Sequence, residues 1–155
     1  MEDSMAENLE QLVRNLPFNK RIKIGYILTN KTNKDLFKSL KINLDSSITN
    51  RLKTDKFTIK ERKSIGKALG AKFNCSINFS DGFEARGVSA RALIEAALQH
   101  QKMTLTELSE KFGTYKQNFG LRLNRGKFTT SELRELARLM GGEYEDYFDL
   151  DGVKF

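Results

Sequence analysis

Lys116, Gln117 and Asn118 are three consecutive side chains able to read nucleobase edges. Gln and Asn each offer a donor and an acceptor and can pair bidentately with adenine, while a Lys ammonium can reach O6 and N7 of guanine. Arg122, Arg125 and Lys127 follow close behind and suit phosphate oxygens. The residue sets that other chemistries need are thin. One cysteine, Cys75, and one histidine, His100, leave no internal disulfide and no set for structural zinc. Cys75 is expected as a small buried apolar side chain, and His100 as a capping or surface residue near a helix end. Glu143, Glu145, Asp146, Asp149 and Asp151 lack EF-hand spacing and read as a solvated strand edge. With no phosphate-cradling glycine loop, nucleophile elbow or HExxH, neither enzymatic activity nor a metal or cofactor is expected.

The elements that must hold these side chains are legible from caps and periodicity. Ser89 caps a helix over 90–101 with Leu93, Ala97 and Leu98 on one face. Thr104 and Glu107 have capping-box spacing and open a second helix, whose apolar stripe is Leu105, Leu108 and Phe112 and whose stop is Gly113. A third helix carries Phe119 and Leu123 and ends at Gly126. Thr129 and Glu132 box a fourth, bearing Leu133, Leu136, Ala137 and Met140 and closed by Gly141. The period then falls to two over 144–150, with Asp151-Gly152 as a hairpin turn.

The chain states this pattern twice. Residues 51–61 match 122–132 at six of eleven positions, at a constant offset of 71. Gly70/Gly141, Ile65/Leu136, Leu69/Met140 and Phe73/Tyr144 keep that offset. Thr58-Glu61 and Thr32-Asp35 are the twins of the two boxes, and a fourth helix is predicted over about 60–69. Residues 73–79, the Ser80-Asp81-Gly82 turn and 83–85 form the twin hairpin. A lone hairpin is rarely stable, so the two are expected to pair into one sheet. The predicted class is mainly α with small β-hairpins, α+β, in tandem helix-turn-helix units forming a pseudo-dimer. Its expected domains are an N-terminal helix over 1–18, a degenerate unit over 19–86 and a second unit over 87–155.

Residues 5–17 predict a helix with Met5, Leu9, Leu12, Val13 and Leu16 on one face, ended by Pro17. That face is expected to pack on its own chain, with dimerisation as the alternative. Hydrophobic residues make up 39% and charged residues 30%, as in a soluble globular protein. There is no signal-peptide layout and no run long enough for a membrane span, so an intracellular protein is expected. The net charge is +7, and it falls in the first half: residues 1–86 hold 17 Lys/Arg against 10 Asp/Glu, and residues 87–155 hold 10 of each. Such an imbalance suits a polyanionic partner.

Two short apolar-anchored helices around Gly113 have the layout of a helix-turn-helix. The stretch Leu108-Ser109-Glu110-Lys111-Phe112-Gly113-Thr114-Tyr115-Lys116-Gln117-Asn118-Phe119 closely resembles the Cro/lambda-repressor-like DNA-binding family, especially small bacterial and mobile-element members. The resemblance is good over about 89–155 and weak over 20–86. It implies that the helix over about 116–124 lies in the major groove of double-stranded DNA, with Lys116, Gln117, Asn118 and Leu121 toward the bases. Thr104, Tyr115, Arg122, Arg125 and Lys127 would face phosphates, joined by Arg51, Lys53 and Lys56 of the first copy. The first copy departs from the pattern: its turn, Lys41-Ile42-Asn43, lacks glycine, and Asp45, Ser46 and Ser47 stand where Lys116, Gln117 and Asn118 stand. It could read a different half-site, or be kept for packing, non-specific grip or a protein partner; Lys60, Arg62, Lys63 and Lys67 add to its charge. The implied function is a sequence-specific transcriptional regulator, a cytoplasmic repressor of bacterial or phage-like kind. The alternative is a protein-binding inhibitor or adaptor, such as an anti-defence protein, on the same scaffold. The N-terminal helix and the β-hairpins are candidate homodimer surfaces.

Overall fold

Threonine, glycine and one proline decide where the helices begin and end. The computed structural model describes residues 2–40 and 45–155, the side chains of 2–4, 6, 37, 39, 40 and 45–48 excepted. Among these are nine helices: α1 (Glu2–Arg14), α2 (Phe18–Thr29), α3 (Asn33–Leu40), α4 (Asp45–Thr54), α5 (Ile59–Leu69), α6 (Ala90–Gln101), α7 (Leu105–Phe112), α8 (Lys116–Arg125) and α9 (Thr130–Leu139). The strands are β1 (Lys72–Phe79), β2 (Glu84–Arg86), β3 (Gly142–Leu150) and β4 (Val153–Lys154). The fold is α+β, as the sequence predicts, and the two hairpins join in one antiparallel sheet of order β2-β1-β3-β4. α1 ends at Arg14, short of Pro17, which is the residue before α2, with φ −53° and ψ 146°. No helix among the described residues is long and apolar enough to cross a membrane.

The chain packs as two compact units, and each draws on both copies of the repeat. The first comprises Met1–Lys56, Glu61–Asn74 and Asp146–Phe155; the second comprises Phe57–Lys60 and Cys75–Glu145. In the second, Thr58 bridges Thr129 as an antiparallel pair, and the Thr130 N–H and hydroxyl both donate to the Phe57 carbonyl, at 3.1 and 3.2 Å. The capping segment of one copy is therefore built into the core that holds α9.

The core of the first unit contains charge. Arg62 of α5 is fully buried, Arg21 of α2 is 2% exposed and Asp146 of β3 is 5% exposed. Arg21 Nη1 lies 2.9 Å from Asp146 Oδ1, Arg62 Nη1 lies 3.1 Å from Asp146 Oδ2, and Arg62 also pairs with Asp55. The Arg62 guanidinium sits 3.9 Å from the centre of the Phe18 ring. Two expectations change here. Arg62 is not a surface cation, because it occupies the apolar stripe of α5 with Ile65 and Leu69. Asp146 is not part of a solvated edge, because β3 is an inner strand and alternation turns Asp146 inward with Tyr144 and Phe148. At the repeat offsets, Arg62 stands where the other copy has Leu133, and Arg21 where it has Leu93, both fully buried.

Three smaller expectations also shift. Cys75 is half-buried in β1 rather than buried. His100 stands in the last turn of α6, near the helix end as expected, but is half-buried. Its ring stacks on Phe83 at 3.9 Å and 11°, and its Nε2 lies 2.7 Å from Asp81 Oδ2. Of the predicted α1 face only Val13 is half-buried; Met5, Leu9, Leu12 and Leu16 are exposed rather than packed on their own chain. The turn Lys41-Ile42-Asn43 and the side chains of Asp45, Ser46, Ser47 and Ile48 lie outside the described residues.

Candidate nucleic-acid interface

In the second unit, α7 and α8 are set by their ends. The Thr104 hydroxyl accepts from the Glu107 N–H at 3.1 Å and starts α7. Gly113, at φ +85°, stops it: its N–H donates to the Glu110 carbonyl, and the Thr114 N–H reaches the Ser109 carbonyl at 3.0 Å. A side chain at that φ would be strained, so glycine is what lets the chain turn sharply into α8. Tyr115 precedes α8 and offers no side-chain cap. The first amides of α8 are thus open to solvent or an anion.

Phe112, Phe119 and Phe128 lock the two helices, with ring centres 5.9, 5.2 and 5.9 Å apart. Leu108, Phe119, Leu123 and Phe128 are buried. Helical periodicity then decides the opposite face of α8. Lys116, Gln117 and Asn118 are exposed, and Leu121 is 49% and Tyr115 82% exposed. Gln117, Leu121 and Asn124 fall in one line at i, i+4 and i+7. No acidic residue occurs anywhere in α8. Arg91 of α6 donates to the Asn124 side chain, holding one end of that line.

Gly120 lies beside this face. A Cβ added there would meet nothing within 4 Å, and its φ is not positive, so neither packing nor backbone conformation demands glycine.

The cations expected at phosphates divide into two kinds. Arg125 and Lys127 are exposed in the second unit, as is Thr104. Arg122 is engaged: its Nη2 lies 2.5 Å from Glu132 Oε2 and 3.3 Å from the Lys127 carbonyl, and its guanidinium is 4.3 Å from the Phe128 ring centre. Burial pushes the Glu132 carboxyl up, but bonds from Arg122 and from the Thr129 N–H hold it below the usual carboxylate range. The first unit repeats the device. Arg51 donates to Glu61 and, at 3.1 Å, to the Lys56 carbonyl. Lys53 and Lys56 are exposed.

The first unit also holds a cleft that periodicity did not reveal. It has a volume of about 540 Å³ and is lined by Lys23, Tyr26, Lys31, Lys34, Thr49 and Lys53, among others. The Tyr26 hydroxyl donates to Asn33 Oδ1 at 2.6 Å. Burial, helped by the Asp35 carboxylate, raises the Tyr26 pKa well above its ordinary value, so it stays a neutral donor. Four lysines from separate places in the sequence meet only because α2, α3 and α4 converge. Among the described residues no group of His, Cys, Asp and Glu could hold a metal ion. No protein-family model, curated protein or solved structure matches the chain.

Proposed function

We propose that this protein is an intracellular, sequence-specific binder of double-stranded DNA, acting as a transcriptional regulator through α8. The observation that carries the proposal is the exposed row Lys116, Gln117, Asn118 and Leu121 on a helix free of acidic residues, with its first amides uncapped by any side chain. Such a helix can enter the major groove, put amide side chains on adenine and a methyl-bearing one on thymine, and lay its amino end near phosphate. Arg125, Lys127 and Thr104 then supply the phosphate contacts of the second unit. Lys53 and Lys56 supply cationic grip in the first. Occupying a promoter would suffice to repress it.

Binding to random and selected duplexes, measured by fluorescence anisotropy across salt, tests this. The expected result is a steep log–log salt slope and a preferred sequence bound at least about 10³-fold more tightly than random duplex. Weak binding that ignores sequence would overturn it. A second function, capture of a protein partner on the same face, is favoured by one observation. Tyr115 and Leu121 are unusually bare for a reader of polar base edges, and exposed aromatic anchors are typical of protein interfaces.

A further inference from the structure

Helix α1 is mounted with its polar side inward. Among the described side chains of α1, Glu10, Val13 and Arg14 are half-buried, and Arg14 bonds Glu10 at 3.3 Å while its guanidinium lies 5.1 Å from the Tyr147 ring centre. On the opposite side Met5 is 73%, Leu9 63% and Leu12 65% exposed, with Leu16 at 41% just beyond the helix end. Four large apolar side chains facing water are costly to a monomer, since burying each would be favourable. Their spacing of four, three and four is the d-a-d-a seam of a left-handed helix pair. The seam is flanked by Ala6, Asn8, Val13 and Asn15, none of them charged, so a second helix can approach closely.

We propose that α1 docks antiparallel on α1 of a second copy of this chain. Charge selects both the occupant and the direction. Glu2, Asp3 and Glu7 make the first part of the helix acidic, and Lys20 and Lys23 make the start of α2 basic, while Glu10 and Arg14 pair with each other. Antiparallel pairing brings the acidic part of each copy toward the basic end of the other, and parallel pairing would stack like on like. In the antiparallel register Met5 meets Leu16 of the second copy and Leu9 meets its Leu12, a self-complementary contact closed by a two-fold axis. The same acidic start repels an anionic lipid surface, where interfacial helices carry Lys and Arg instead. Four side chains per copy bury less than the roughly 1,200 Å² of a standard interface, so the dimer is concentration-dependent rather than obligate.

Sedimentation equilibrium of the full chain over about 1–500 µM reads this dimer. The mass should climb from 17.7 kDa toward twice that value with concentration. The double variant Leu9→Glu/Leu12→Glu should stay monomeric over the same range with an unchanged circular dichroism spectrum, because both side chains are exposed. A wild type that stays monomeric, or a double variant that dimerises equally, overturns the proposal; so does a monomer that binds phosphatidylcholine vesicles through α1. Direction is read by disulfide formation in a Cys75→Ser background. Mixed Met5→Cys and Leu16→Cys chains should cross-link, and Met5→Cys alone should not. Efficient cross-linking of Met5→Cys with itself would show parallel pairing and overturn the antiparallel assignment.

Discussion

Arg122 Nη2 lies 2.5 Å from Glu132 Oε2, tying the C-terminal part of α8 to the first turn of α9. The same guanidinium reaches the Lys127 carbonyl, and Arg51, Glu61 and the Lys56 carbonyl repeat the arrangement in the first copy. The residues that make the internal repeat recognisable therefore have structural work. Leu52/Leu123 and Phe57/Phe128 are buried, Thr129 caps α9, and the arginines brace the loop between helices.

Replacing Arg122 should consequently be felt in stability. Arg122→Ala is expected to lower unfolding free energy by about 1 kcal/mol, a figure already reduced for the partial exposure of the pair. Lys127→Ala should change stability by less than about 0.5 kcal/mol but reduce the salt slope of DNA binding by about one. Urea denaturation and anisotropy separate the two.

Glu132 also makes stability depend on acid. Its folded carboxyl titrates below its ordinary value of 4.5, so the stabilisation is fully present above that value. It is lost as pH falls through the lower, folded pKa. Urea midpoints measured from pH 7 down to pH 3 should fall for the wild type, and Glu132→Gln should start lower and fall less steeply. Equal slopes in both proteins would count against the bond.

Gln117 is the sharpest probe of base reading. Gln117→Ala should cost about 1–3 kcal/mol on the preferred duplex and little on random duplex, whereas Lys127→Ala should weaken both alike. If both variants bind the selected duplex as the wild type does, α8 is not the reading helix.

Gly120 separates stability from binding. Gly120→Ala should stabilise the protein by roughly 0.5–1 kcal/mol, since a helix-interior glycine carries that penalty and the added methyl meets nothing. If α8 lies deep in the groove, the same methyl should weaken DNA affinity while the melting temperature rises. Calorimetry and anisotropy on one sample check both.

The buried Arg21–Asp146–Arg62 cluster should be fragile to a single change. Asp146→Ala leaves two guanidinium groups without their shared carboxylate and is expected to cost about 3–5 kcal/mol. Replacing the set together, with leucine at 21 and 62 as in the other copy and an apolar residue at 146, should be neutral or stabilising by about 1–4 kcal/mol. Chemical denaturation of both variants tests the pair of expectations.

Most of the helices were legible because their signals are local. A threonine three residues before a glutamate, a glycine after an apolar stripe and an Asp-Gly turn act within a few residues of backbone, and α6 to α9 begin and end where those signals stand. The inward Asp146 was half legible: it shares strand parity with Tyr144 and Phe148, and Arg62 shares the helical stripe of Ile65 and Leu69, so two charges on apolar faces could have been paired.

What the sequence determined by itself is the order and type of the elements, the repeat and the polar face of α8, all of which follow from short-range periodicity and capping. Only the tertiary structure decided that Arg51 and Arg122 hold carboxylates, that four lysines line one cleft, that segments of each copy build the other's core, and that α1 turns its apolar side to water. Those outcomes depend on which surfaces meet across long stretches of chain. A hydrophobic pattern reports that a face is apolar, but not what will cover it.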